Sequence, residues 1–212
     1  MKLRKRLLEK SRLYVILDKK LLNKFSLKDT VKKLSSSKTD IIQLRDKFAN
    51  KKTLLKEAAE TQRFLNKTNT LFIINDHIDI AKIADCDGLH LGQRDLSLKL
   101  ARKILGPDKI IGISCHNLKQ ALKAQNEGAD YIGIGPIFKT ATKPEYAPIG
   151  QEILKKVNKN IKIPYFAIGD INIKNIETVV KKGAKRIAVA RAVLKTKNIN
   201  NAVKNLSQKL PS

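Results

Sequence analysis

The sequence predicts a single-domain (β/α)8 barrel, and three observations point there. Eight short apolar runs, rich in β-branched residues, recur from one end of the chain to the other. They are apolar throughout rather than alternating, as strands buried on both faces should be. Amphipathic stretches of helical length fill the gaps between them, and a helix–Gly–Ala–strand unit returns along the chain. Repetition of one strand–helix unit is the mark of a closed repeat. An open doubly wound sheet is the rival, and it usually carries fewer strands.

Taken in order, strands are expected at 13–17, 41–44, 71–74, 88–91, 110–114, 131–135, 165–168 and 186–189. Residues 1–10 precede the first as a basic extension. After the second strand, 51–66 reads as a helix with Leu54, Leu55, Ala58, Thr61 and Leu65 on one face. Before the last strand, 172–182 does the same with Ile173, Ile176, Val179 and Val180. The helices near 118–127 and 173–182 end in "EGAD" and "KGAK", which place Gly128 and Gly183 as C-caps. "ADCDGLHLG" is a looser third copy of the same unit.

At 212 residues with 42% apolar content, the chain can bury one sizeable core. No apolar run approaches the roughly 20 residues a membrane helix needs. No apolar stretch and cleavage site follow the basic N-terminus, so no secretory signal is read and a cytoplasmic protein is expected. Cys86 and Cys115 show no metal spacing and are expected reduced and buried. The 44 Lys and Arg against 19 Asp and Glu give +25, which raises nucleic-acid binding as a class. The lysines, however, are scattered over polar helix faces and no basic tract is interleaved with aromatics, so a solvated lysine-rich surface is the preferred reading. Such a field would still draw phosphorylated substrates.

In a barrel of this kind the site lies at the C-terminal ends of the strands. Read in order, those ends carry Gln43, Arg45 and Lys47; Asn75 and Asp76; Gln93 and Asp95; Ser114 and His116; Thr140, Thr142 and Lys143; Gly169 and Asp170; and Ala190 and Arg191. In "GPIFKTATK" an apolar strand runs into hydroxyls and an ammonium, which suits an anion. Arg45, Lys47 and Lys143 suit phosphate oxygens. Asp76 and Asp95 are hard oxygen ligands of the kind that hold Mg²⁺ together with substrate phosphates. His90 is read as structural within its strand, and His77 as capping or covering the helix that follows. No serine or cysteine is read as part of a nucleophile–base pair.

"QLRDK", "INDHIDIAKIADCDGLHLGQRD", "IGISCH", "GADYIGIGPIFKTATK" and "AIGDI", in this order, resemble the thiamine-phosphate synthase family from Leu13 to about Leu194. The resemblance implies a transferase that joins hydroxymethylpyrimidine diphosphate to a thiazole phosphate and releases diphosphate. It implies that Gln43, Arg45, Lys47 and Asn75 contact the pyrimidine diphosphate, that Asp76 and Asp95 hold Mg²⁺, and that Ser114 touches the pyrimidine ring. Thr140 and Thr142 would bind the thiazole phosphate, with Gly169, Asp170, Ala190 and Arg191 around it, and Lys143 would reach the diphosphate. Lys47, Ser114 and Lys143 would be the catalytic set. The implied partners are these small molecules, with neither nucleic acid nor membrane, and a homo-oligomer is common in the family. The family usually reads "AIGGI" where this chain has Asp170. Three explanations stay open: a side chain turned away, neutralisation by a neighbour such as Arg191, or a different or weakly bound acceptor. The competing resemblance is to the thiazole tautomerases of the same barrel, with His116 as the proton-transfer residue. Another phosphate-binding barrel enzyme is the third.

Overall fold

The computed structural model describes residues 2–22, 25–141 and 145–211. Its strands are β1 (Leu13–Asp18), β2 (Ile41–Arg45), β3 (Leu71–Asn75), β4 (Gly88–Leu91), β5 (Ile110–Cys115), β6 (Tyr131–Ile134), β7 (Tyr165–Ile168) and β8 (Ile187–Val189). They form a closed barrel in sequence order. Every neighbouring pair is parallel, and β8 returns to β1 through Leu13 opposite Ile187. This is the expected barrel, with strand bounds shifted by no more than a residue or so.

Helices connect the strands on the outside: α2 (Leu27–Ser35), α3 (Lys51–Leu65), α4 (Ile78–Ile83), α5 (Leu98–Leu105), α6 (Leu118–Asn126), α7 (Ile153–Asn160) and α8 (Ile176–Lys181). Several start where the sequence offers a side chain for an unpaired N–H. Ser26, Asn50, Ser97 and Asn117 each accept from the backbone three residues on. Gly128 and Gly183 follow their helices at φ 90° and 99°, the left-handed turn expected of them. α8 corrects the sequence reading, since it starts at Ile176 and leaves Ile173 47% exposed. Asn172 and Asn175 hydrogen-bond the backbone locally, Asn172 Oδ1 accepting from Lys174 and Asn175 Oδ1 from Asn172. Those bonds hold a turn where apolar periodicity alone suggested helix.

Two cores result. The larger lies between sheet and helices. The smaller fills the barrel with Tyr14, Ile41, Leu71, Ile73, Ile110, Tyr131, Phe166 and Ala188. The basic extension forms α1 (Lys2–Lys10), whose Leu8 packs into that inner cluster. Arg4 pairs with Asp87 at 2.7 Å and Lys5 with Asp130 at 3.4 Å, just ahead of β4 and β6. α1 therefore closes the N-terminal end of the barrel and leaves the other end open. Both cysteines are free and buried.

Candidate active site

The open end holds a cleft of about 880 Å³, counting the space it shares with solvent at its mouth. Gln43, Arg45, Asn75, Ser114, Thr140, Gly169, Asp170, Ala190 and Arg191 all line it. Nine of the sequence-predicted residues, drawn from six strand ends and their loops, thus share one cavity. Thr142 and Lys143 lie outside the described residues.

The ends of β2, β3 and β4 build a charged corner. Lys47 Nζ donates to Asp76 Oδ2, and the carboxyls of Asp76 and Asp95 lie within hydrogen-bonding reach of each other. Asp76 sits at φ 62°, a left-handed conformation that aspartate tolerates better than most residues. The Gly92 N–H donates to Asp95 Oδ2 at 2.6 Å. Burial opposes the Asp76 anion, but the Lys47 ammonium and the Asp95 carboxyl outweigh it and hold its titration below the usual carboxylate range. Burial, and then the Asp76 charge, push Asp95 upward against the support of the Gly92 N–H. The two carboxyls are therefore unlike: one is a settled anion and the other is reluctant to ionise beside it. Arg45 is anchored from behind, donating through Nη1 to Asp18, which is buried at the end of β1. Asp18 carried no motif and was not singled out from the sequence.

His90, read as structural within its strand, also lines the cleft, with Nδ1 2.9 Å from the Tyr131 hydroxyl and Nε2 2.9 Å from Ser114 Oγ. Ser114 therefore does stand beside an imidazole. No local pattern announces this, because the two residues sit on different strands, 24 positions apart. Cys115 remains unsuited to nucleophilic work, as burial pushes its thiol up to about 12. His77 takes the N-cap position of α4 without a side-chain cap bond.

Across the cleft, the loop after β6 packs on the end of β5. His116 stacks on Tyr146 with ring centroids 4.3 Å apart, and its Nδ1 donates to the Gly135 carbonyl at 2.6 Å. Gly169, at φ 114°, passes so close to the next loop that a Cβ would fall 2.5 Å from the Ile137 nitrogen. Asp170 follows at φ 47°, exposed, with its carbonyl accepting from Asn172 Nδ2 at 2.9 Å and Asn175 Nδ2 at 3.0 Å. Among the described residues Asp170 and Arg191 form no ion pair, so neutralisation by Arg191 finds no support.

The family model for thiamine monophosphate synthase (TMP-TENI) matches residues 13–193. A thiamine-phosphate synthase of Clostridium novyi is 42% identical over 92% of this chain and 97% of its own. One from Coprothermobacter proteolyticus is 41% identical over 98% and 99%. Among solved structures, a thiamine phosphate pyrophosphorylase from Pyrococcus furiosus superposes with a TM-score of 0.86 at 34% identity, covering 98% of this chain and 96% of that one. A fold closed in this order, a cleft lined from these strand ends, and likeness along nearly the whole chain agree, and the chain belongs to the thiamine monophosphate synthase family of transferases.

Proposed function

We propose that the cleft condenses 4-amino-5-hydroxymethyl-2-methylpyrimidine diphosphate with hydroxyethylthiazole phosphate, giving thiamine phosphate and diphosphate. The observation that carries this reading is the close pair of carboxyls, Asp76 and Asp95, with the Lys47 ammonium on Asp76, next to the strand ends from which Arg45 and Asn75 line the cleft. A diphosphate leaving group needs cations around it. A passive acceptor phosphate needs only donors, which suits the Thr140 side.

The reaction is a substitution at one carbon. The C–O bond to diphosphate breaks and its electron pair leaves with the oxygen. The resulting methylene cation is delocalised into the aminopyrimidine, and the thiazole nitrogen gives its lone pair to the new C–N bond. No proton has to move and no enzyme nucleophile is required. What is required is stabilisation of the departing charge and fixed placement of the acceptor. Arg45, Lys47 and Lys143 take the diphosphate oxygens, with Asn75 beside them. Gln43 and Ser114 hold the pyrimidine ring. Thr140 and Thr142 hold the thiazole phosphate, together with the Gly169–Asp170 and Ala190–Arg191 turns.

The unlike carboxyls of Asp76 and Asp95 fit a hard divalent cation. Two anions this close need a shared proton, an ammonium or a metal between them, and Lys47 fills part of that need. Mg²⁺ held there would supply further charge neutralisation to the leaving group.

The test is to incubate protein with both substrates and Mg²⁺, with and without chelator, and follow thiamine phosphate and diphosphate. Metal-dependent formation of both is expected. Asp76→Ala should lower turnover by about a hundredfold or more with an unchanged unfolding midpoint. Full activity in that variant would remove Asp76 from the metal site. Pyrimidine diphosphate binding without product would turn attention to the acceptor side, and to thiazole tautomerisation with His116 as its proton carrier.

A further inference from the structure

A line of polar side chains runs through the inside of the barrel, and its middle three, Tyr14, Tyr131 and His90, are left unused by this chemistry. Gln43 Nε2 donates to the Tyr14 hydroxyl at 2.6 Å. The Tyr14 and Tyr131 hydroxyls are 2.9 Å apart. Tyr131 Oη is 2.9 Å from His90 Nδ1, and His90 Nε2 is 2.9 Å from Ser114 Oγ. Four hydrogen bonds thus join five side chains from β1, β2, β4, β5 and β6. Both ends, Gln43 and Ser114, line the cleft.

Room for the chain is built in by a residue without a side chain. A Cβ on Gly112 would stand 2.0 Å from Tyr131 Cζ, inside the ring's own volume. Phe166 clamps both phenols edge-on, at 5.3 Å from Tyr14 and 5.7 Å from Tyr131 between ring centroids. Burial raises the titration of both phenols well above the usual range, so each keeps its single proton.

That single proton gives the chain a direction. Tyr14 accepts from the Gln43 amide, so its own proton goes to Tyr131. Tyr131 accepts it and donates in turn to His90 Nδ1. A neutral imidazole accepting at Nδ1 carries its proton on Nε2 and donates to Ser114 Oγ. Ser114 Oγ then accepts from the ring behind it and has its own proton to offer into the cleft. An imidazole in this tautomer cannot take the serine proton, so the pair is not a nucleophile and its base.

We propose that Tyr14, Tyr131 and His90 form a positioning relay that orients Ser114 as a hydrogen-bond donor toward a ring nitrogen of the bound substrate and keeps it from acting as a nucleophile. Gln43, having spent one N–H on Tyr14, turns its carbonyl oxygen to an exocyclic amine. Together the two ends match an amine and a neighbouring ring nitrogen, the edge of an aminopyrimidine. Only this last, ligand-facing half rests on the function proposed above.

The proton positions are tested first, without substrate. Long-range ¹H–¹⁵N spectra of the ligand-free protein, with His90 assigned by its loss in His90→Gln, should show Nε2 protonated and Nδ1 bare. Protonation at Nδ1 would reverse the chain and overturn the proposal whatever the enzyme makes. Tyr131→Phe, which removes one oxygen, should abolish the single tautomer. It should also lower kcat/KM for the pyrimidine diphosphate about tenfold, the worth of one neutral hydrogen bond, with KM for thiazole phosphate unchanged. Ser114→Ala with Tyr131→Phe should be no worse than Ser114→Ala alone. Losses that add, or that fall equally on both substrates, would mean that Tyr131 only supports the fold. Should Tyr131→Phe not fold, the wild-type tautomer still decides.

Discussion

Arg45 illustrates how a functional side chain depends on one that has no motif. Its guanidinium is tied from behind by Asp18, which is 3% exposed and also accepts from the Lys20 N–H at 3.1 Å. A planar fork fixed along one edge presents its remaining N–H groups in one direction. Asp18→Asn keeps the shape and removes the charge that holds the fork. It should cost about 1.5–3 kcal/mol of transition-state stabilisation, the range for hydrogen bonds to charged groups. Steady-state kinetics should place that loss in kcat/KM for the pyrimidine diphosphate; an unaltered value would show that Arg45 holds its pose alone. Asp170 is the converse case, a residue in a conformation it does not prefer. At φ 47° its backbone is where glycine is at ease, and its carboxylate is exposed beside the cleft. Asp170→Gly should raise stability by about 1 kcal/mol through relief of that strain. Solvent screening limits the charge effect, so affinity for thiazole phosphate should rise by no more than about fivefold, or about 1 kcal/mol. A gain that is larger and independent of salt would show a buried repulsion instead.

The elements were legible in the sequence to the extent that their burial was uniform. Strands walled by helices outside and side chains inside read as unbroken apolar runs, and all eight were found in place. The helix before β8 was read too long because periodicity does not register the asparagine turn at Asn172 and Asn175. The contacts of His90 were hidden for a related reason. Within "GLHL" it is the inward residue of a four-residue strand, and its partner Tyr131 lies 41 positions further on. Nothing local to a strand announces what faces it across a barrel. The role of the basic extension was likewise invisible, since whether an amphipathic helix docks depends on the surface offered to it. Here that surface is the open floor of the inner core, and Leu8 enters it at 3% exposure. Leu8→Ala should lower the free energy of unfolding in urea by about 2–4 kcal/mol. Turnover at saturating substrate should stay the same, because the floor is at the opposite end of the barrel from the cleft. A matching fall in turnover would show that the packing of α1 reaches the site.

At the scale of the whole molecule, the sequence held the residues of the site but not their grouping. Gln43, Arg45, Asn75 and Ser114 could be placed at strand ends from the pattern alone, and the closed barrel brings them together. The unequal titration of Asp76 and Asp95, and the chain from Gln43 to Ser114, exist only once distant strands are neighbours. Net charge, in contrast, was fully legible, and its consequence is a rate. The chain carries +25, and among the described residues no helix is long and apolar enough to cross a membrane. A cleft lined by Arg45 and Arg191 in such a field should capture a polyanionic substrate faster than diffusion to a neutral surface allows. Screening shortens from about 30 Å at 0.01 M salt to about 8 Å at 0.15 M. Over that interval kcat/KM for the pyrimidine diphosphate should fall severalfold while kcat holds, and duplex DNA should not be retained at the higher salt. A flat kcat/KM would assign the lysines to solvation alone. Retention of DNA at 0.15 M would instead give the charge a macromolecular partner, because binding that rests on phosphate contacts without base readout weakens steeply with salt.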